Sequence, residues 1–368
     1  MGDRIIVLGG GVIGLSCALE LAKRGYDVTV LEIGTCGGQA SGAAAGMLAP
    51  YSENPEYADG FFRLCLDSLR RYPAWQEEVK QLSGMDFEYT ESGSLYAVYH
   101  EADLSALTAR LSWQQAFGTH AEIVEGGRLE QLEPQLGQAR AAVYCPEESH
   151  VHAPDYVHAL EAACRKVGVY IHEQLQELTL TDWKNDIRVH DRAGQIYEAD
   201  RIVLCTGAWS GSWTEQFGFS VPIYPIRGQI CAYPVEPSML RHIVFTSQGY
   251  MVGKANGMLV CGASEDIAGF ATSVTDRGID RLEKLSKKVL PFLNRMQPTL
   301  RWAGLRPATQ DGYPLLGVGS EQPRVIFACG HYRNGILLSP VTAAVVADLA
   351  DGHVPELALG AFQPDRFG

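Results

Sequence analysis

A run of glycines between two short apolar segments sets the first constraint on this chain. Arg4-Ile5-Ile6-Val7-Leu8 leads into Gly9-Gly10-Gly11-Val12-Ile13-Gly14, then a helix-patterned stretch to about Arg24, Gly25, and Asp27-Val28-Thr29-Val30-Leu31 closed by Glu32. That order predicts strand, tight turn, helix and parallel strand, the opening unit of a dinucleotide-binding sheet. Each residue type answers a physical need. Gly9 turns the chain out of the strand, and Gly11 lets the backbone approach a pyrophosphate. Gly14 lets the helix pack close to the sheet, with its N-terminal N–H groups and dipole toward the phosphates. Glu32, 18 residues after Gly14, ends the second strand where a carboxylate reaches ribose hydroxyls. Gly9, Gly11, Val12, Ile13, Gly14, Glu32 and Ile33 are therefore the expected contacts at this end of the cofactor. The alternative, a glycine turn in an ordinary βαβ unit, does not call for strands, helix and acid all in register.

A chain of 368 residues is too long for one simple core, and two domains are expected. Hydrophobic content of 46% with 20% charged residues describes a folded soluble protein rather than a disordered one. A net charge of −13 without a basic cluster argues against nucleic acid and against anionic membranes. No apolar run approaches the roughly 18 residues a spanning helix needs. The expected strand from about residue 4 leaves no room for a signal peptide, so the expected location is cytoplasmic. The nine cysteines are odd in number and lack metal-type or CxxC spacing, which reads as small core residues in a reducing compartment. The histidines show no HExxH pattern. His150 and His152 can face one way on a strand, but as a pair they read as a polar surface feature, and no metal is expected.

Further along, apolar spacing predicts a helix over about 60–82, strands within 87–99 and a helix over 103–116. A capped helix is expected within 150–168, begun by Pro154 and Asp155 and ended by Gly168. A strand over 169–172 and a β-meander then lead to Ile202-Val203-Leu204-Cys205-Thr206-Gly207, a second strand-to-turn passage of the kind that returns to a nucleotide-binding sheet. Residues 222–300 alternate strongly, around one charged helix over 275–290. The chain closes with a strand over 324–329, the turn Gly330-His331-Tyr332-Arg333-Asn334-Gly335 and a helix over 336–349. The expected fold is α/β: a Rossmann-like dinucleotide-binding domain assembled from three segments (1–85, 150–221 and 300–368), with an antiparallel-sheet α+β substrate-binding domain (86–149 and 222–299). Ligand would bind between them, at the carboxyl ends of the parallel strands.

Lined up, these pieces resemble the D-amino-acid-oxidase-like FAD-dependent amine oxidoreductases, and within them the branch acting on glycine and other small amines in thiamine biosynthesis. The resemblance rests on Gly9–Gly14 with Glu32, Ser41-Gly42-Ala43-Ala44-Ala45-Gly46-Met47-Leu48 and Pro225-Ile226-Arg227-Gly228-Gln229. It continues through Tyr250-Met251-Val252, Gly262-Ala263-Ser264-Glu265, Trp302-Ala303-Gly304-Leu305-Arg306-Pro307 and Gly330–Leu337, in family order. It implies FAD as cofactor, contacted by Ala40, Ser41, Ala45, Gly46 and Met47 and by His331, Tyr332, Arg333, Asn334, Gly335, Ile336 and Leu337. Thr206 and Gly207 belong to the same cofactor site. Glu177 matches a backbone contact to the adenine end, although the family usually has an aliphatic residue there. Relatives that bind flavin covalently use a His in the Ser41–Gly46 loop or a Cys near Arg306. Neither type occurs in 40–48 or 306–317, so FAD is expected to be non-covalent.

Oxidising an amino acid at a flavin needs a neutral amine with its Cα close to N5, and a clamp for the carboxylate. An arginine fork suits that clamp because it binds two oxygens at once. Arg306, in an otherwise apolar block, matches the family's carboxylate-binding arginine, and Tyr250 its active-site tyrosine. Arg333 matches a position beside flavin and substrate amine, through its backbone carbonyl. Glu265 stays open among a pocket wall, an amine partner and a solvated charge. Read with the family, the partners are a small amino-acid substrate and O2 as electron acceptor, in a homotetramer. The competing readings are a sarcosine oxidase, a D-amino-acid dehydrogenase, and a flavoprotein scaffold without turnover.

Overall fold

The computed structural model describes residues 3–54, 57–184, 186–218 and 221–367. At its centre is a six-stranded sheet in the order Leu315–Val318, Val325–Cys329, Arg201–Leu204, Arg4–Leu8, Asp27–Leu31 and Tyr170–His172. All neighbours in it run parallel except the antiparallel edge strand Leu315–Val318. The inner strands are apolar on both faces because both are covered, one by helices and the other by a strand meander (Ile187, Val189, Ala199) with the short helix Ser210–Gln216. Val12–Lys23 lies on one face together with the apolar helix Gly335–Ala350. Gly60–Ser83 closes over that last helix, with Ser68 Oγ donating to the Leu337 carbonyl at 2.6 Å and the Tyr72 hydroxyl to that of Ile336 at 3.1 Å. Asp59 caps Gly60–Ser83 by accepting from Phe62 N–H, and Gly84 ends it in the left-handed conformation at φ +64°.

Over this layer stands an eight-stranded sheet ordered Leu300–Thr309, Ile223–Pro234, Met258–Gly262, Gly249–Gly253, Ile243–Thr246, Ser94–Val98, Ala141–Cys145 and Glu122–Val124. The helix Asp276–Val289 covers its outer face, capped by Thr275, which accepts from Gly278 N–H at 3.2 Å. A three-stranded meander (Leu178–Asp182, Ile187–Asp191, Ile196–Ala199) and a small sheet of Met47–Leu48, Ser149–Val151 and Tyr89–Thr90 complete the strands. No helix among the described residues is long and apolar enough to cross a membrane.

Leu300–Thr309 pairs along its whole length with Ile223–Pro234 in the eight-stranded sheet. The chain rejoins the parallel sheet only at Leu315. His150 is not a surface residue: it sits on the central strand of the small sheet, opposite Met47, and is 4% exposed. The helix that follows runs Ala153–Lys166, with Pro154 and Asp155 in its first turn as expected. The cysteines are all free and buried apart from the partly exposed Cys36.

Candidate active site

The parallel strands end at a cavity of about 550 Å3 between the two large sheets. Gly9, Glu32 and Ile33, Cys205 and Thr206, and Gly330 and His331 line it directly after four of those strands. This is where the topology of such sheets places a ligand.

Two glycines of the first turn are sterically fixed. Gly9 has φ +102°, and a β-carbon there would lie 2.5 Å from the Cys205 carbonyl oxygen. A β-carbon on Gly14 would collide with the Gly9 carbonyl, so the helix can approach the turn only through glycine. Glu32 holds the turn in shape, its two oxygens accepting from Gly10 N–H and Gly34 N–H at 2.7 Å each. A carboxylate has further lone pairs, so Glu32 keeps acceptor capacity for a ribose. Ser41 Oγ accepts from Val12 N–H at 3.0 Å and fastens the small-residue loop to the first helix turn. Ala40, Ser41, Ala45, Gly46 and Met47 line the cavity together with Gly11, Val12, Ile13, Thr206 and Gly207. Glu177 lines the end near Ile33, where Gln176 N–H bonds the Ile33 carbonyl at 3.0 Å.

Tyr332, Arg333, Gly335 and Ile336 form a wall that brings the start of the last helix to the cavity. Gly14, Asn334 and Leu337 do not line it: Asn334 and Leu337 are buried behind that wall. His331 is 3% exposed with its Nε2 3.1 Å from the buried Thr342 hydroxyl, and burial pushes its imidazole down to about 3, so the ring is neutral. An acid with spare lone pairs, a glycine turn at a helix N-terminus and small side chains facing a second helix N-terminus together suit a flavin dinucleotide.

At the far end sits the polar machinery. Arg306 reaches diagonally from Leu300–Thr309 across Gly228 on the neighbouring strand, and donates Nη1 to the Ser264 carbonyl at 3.0 Å. That carbonyl is held from behind. Ser264 Oγ accepts from Gln229 N–H at 3.0 Å and donates to Asp266 Oδ2 at 2.9 Å. The same Asp266 oxygen accepts from Gln229 Nε2 at 2.7 Å and Arg227 Nε at 3.2 Å. Tyr250 faces the cavity above Gly262, where a β-carbon would lie 2.5 Å from the tyrosine hydroxyl. Burial pushes that hydroxyl up to about 12, opposed by the nearby Arg306 and Arg333 charges. Trp302 Nε1 donates to the Ala43 carbonyl at 3.0 Å, pinning the small-residue loop to the strand that carries Arg306.

Arg333 lies between two acids, with Nη2 3.0 Å from Glu53 Oε1 and Nη1 3.3 Å from Glu265 Oε1. Sequence reasoning missed Glu53, which enters the cavity wall from the short helix Pro50–Glu53 after the Met47–Leu48 strand. Elsewhere, Cys36, Glu161 and Glu173 offer ligand atoms within 4.8 Å of one another. Arg165 already bonds both carboxylates, at 2.8 and 3.0 Å, so the cation at that cluster is a guanidinium.

A family model for FAD dependent oxidoreductases (DAO) matches residues 4–349. Among relatives, the glycine oxidase of Geobacillus kaustophilus is 32% identical over 367 residues, covering 98% of this chain and 96% of the relative. The bifunctional protein ThiO/ThiG of Synechocystis is 32% identical across 99% of this chain, which spans 54% of that protein. Among solved structures, glycine oxidase from Geobacillus kaustophilus superposes with a TM-score of 0.93 at 31% identity, covering 98% of both chains. By family match and by fold, the chain belongs to the DAO family of FAD-dependent oxidoreductases and is an enzyme that uses FAD.

Proposed function

We propose that this enzyme oxidatively deaminates glycine and other small amines such as sarcosine and small D-amino acids. The observation that carries the reading is the Arg306 guanidinium, seated over Gly228 by the Ser264 carbonyl and facing the same cavity as the glycine turn. An arginine with most of its fork open is a receptor for a carboxylate.

Bound FAD supplies the hydride acceptor for the substrate Cα–H. The chain holds the substrate for that transfer. Arg306 takes the carboxylate as a bidentate pair, and Tyr250, whose hydroxyl keeps its proton, donates to the same group. The Arg333 backbone carbonyl accepts from the amine, and Met47 with Tyr250 limits the room beside Cα, favouring small substrates. Neutral His331 adds no charge to this wall. With O2 as terminal acceptor the products are H2O2 and an imine, which water converts to the 2-oxo acid and ammonia (glyoxylate from glycine). A role in thiazole formation for thiamine accords with the ThiO/ThiG relatives.

FAD is held without a covalent bond in a domain of residues 1–85, 150–221 and 310–368, and the substrate in one of 86–149 and 222–309, in a homotetramer; the later boundary follows the Leu300–Thr309 strand. Purified yellow protein should release H2O2 with glycine, sarcosine or D-alanine. Absence of both peroxide and flavin bleaching with all three would defeat the reading.

A further inference from the structure

Two cationic side chains line the cavity among the described residues, Arg306 and Arg333, and they are held differently. Arg306 spends one N–H on the Ser264 carbonyl and keeps its remaining donors for a ligand. Arg333 is committed on both terminal nitrogens, Nη2 to Glu53 and Nη1 to Glu265. The Tyr332 hydroxyl fixes Glu265 further, donating to the same oxygen at 3.0 Å. Glu53 is the more enclosed acid, with its side chain 6% exposed against 50% for Glu265. Its charge is the largest influence on Arg333 and keeps that guanidinium protonated. Two carboxylates around one guanidinium leave negative charge in excess at this end of the cavity.

We infer that Glu265, with Glu53, selects amines bearing a single carboxylate, by occupying the one other arginine that a dicarboxylic amine would need. This deepens the amine-oxidase reading and rests on it. A substrate's first carboxylate goes to Arg306. A second would meet an arginine whose donors are taken and an acid pair that repels it. The Arg333–Glu265 pair is exposed on both sides and adds little to folding. Its effect is on ligand choice, because like charges set face to face disfavour the wrong partner.

Sarcosine and iminodiacetate make a matched test, since they differ by one carboxylate on the N-substituent. In the FAD-loaded enzyme, Glu265→Gln should raise the ratio of kcat/KM for iminodiacetate to that for sarcosine by about tenfold or more. Glu53→Gln should move the ratio in the same direction. Competition by acetate and malonate, read from the flavin spectrum, gives the same comparison without turnover: malonate should gain on acetate in both variants. Ratios unchanged from wild type, with sarcosine oxidation and acetate binding intact, would overturn the inference and leave the proposed function standing. A wild-type enzyme that neither oxidises sarcosine nor binds acetate would remove both.

Discussion

The guanidinium of Arg306 lies over Gly228 so closely that a β-carbon at 228 would fall 2.5 Å from both of its terminal nitrogens. Residue 228 pairs with Gly304, two positions before Arg306, so the arginine crosses its neighbour strand diagonally and uses the missing side chain as its seat. Gly228→Ala should displace the guanidinium without touching the cofactor turn. KM for glycine should rise on the order of 10- to 100-fold, as for a lost charge-assisted pair, with the flavin spectrum unchanged. Arg306→Leu should do the same more severely. Steady-state kinetics on both variants checks this, and an unchanged KM in Arg306→Leu would remove Arg306 from the clamp.

Behind the clamp, Asp266 gathers Arg227, Gln229 and Ser264 onto a single oxygen. Those bonds hold its carboxyl below the usual carboxylate range against the opposing cost of burial. A depressed carboxyl stabilises the fold above its ordinary range and loses that contribution as pH falls through its folded value. Asp266→Ala should loosen the Ser264 carbonyl and raise KM by roughly tenfold, with a smaller effect on kcat. Asp266→Asn keeps an acceptor and should lose less. A kcat loss at constant KM would instead assign Asp266 to folding alone.

What the sequence made legible is what local spacing encodes. Gly9, Gly14 and Glu32 stand within one βαβ unit; Gly14 and Glu32 are explained by contacts inside it, and Gly9 also by the Cys205 carbonyl after the next strand of the sheet. Arg306 and Tyr250 could be named because their blocks match a family pattern. Glu53 could not, since its partner Arg333 is 280 positions away and nothing in Pro50–Glu53 marks an ion pair. The pairing of Leu300–Thr309 with Ile223–Pro234 could not be read either, because a strand's own spacing does not say which strand it joins. His150 failed for the same reason: period two gives a face, and only the flanking strands Met47–Leu48 and Tyr89–Thr90 reveal that its face is covered.

Glu148 gives a pH-dependent prediction. It is fully buried, accepts from Ser52 N–H at 2.8 Å, and shares its other oxygen with the hydroxyls of Ser52 and Ser94. It thereby ties down the helix that ends in Glu53, the partner of Arg333. Burial pushes its carboxyl up to about 7, with the hydrogen bonds opposing. The folded state therefore holds this proton more tightly than the unfolded chain does. Stability is fully present below the ordinary glutamate range and declines as pH rises through about 7. Glu148→Gln supplies a neutral donor and acceptor in the same shape. It should flatten that decline and stabilise the protein at alkaline pH by on the order of a few kcal/mol, seen as a higher Tm. Thermal melts at pH 5 and pH 8 decide it: a variant that loses Tm equally at both would show that the carboxylate form is the stabilising one.

The Tyr250 hydroxyl separates binding from proton transfer. Burial raises it to about 12, and the Arg306 and Arg333 charges only partly counter that. It therefore stays an O–H donor throughout the working range and is unavailable as a base. Tyr250→Phe should raise KM for glycine by about 3- to 10-fold, the loss of one hydrogen bond to a charged group. It should leave the shape of the pH profile of kcat/KM unchanged from about pH 6 to about pH 10. A tyrosine acting as base would behave otherwise, since its removal would erase a limb of that profile. With Tyr250 protonated and His331 neutral, the proton that must leave the substrate ammonium is given up before or during binding. The pH at which kcat/KM rises should then follow the amine's own pKa from glycine to sarcosine, in the variant as in the wild type.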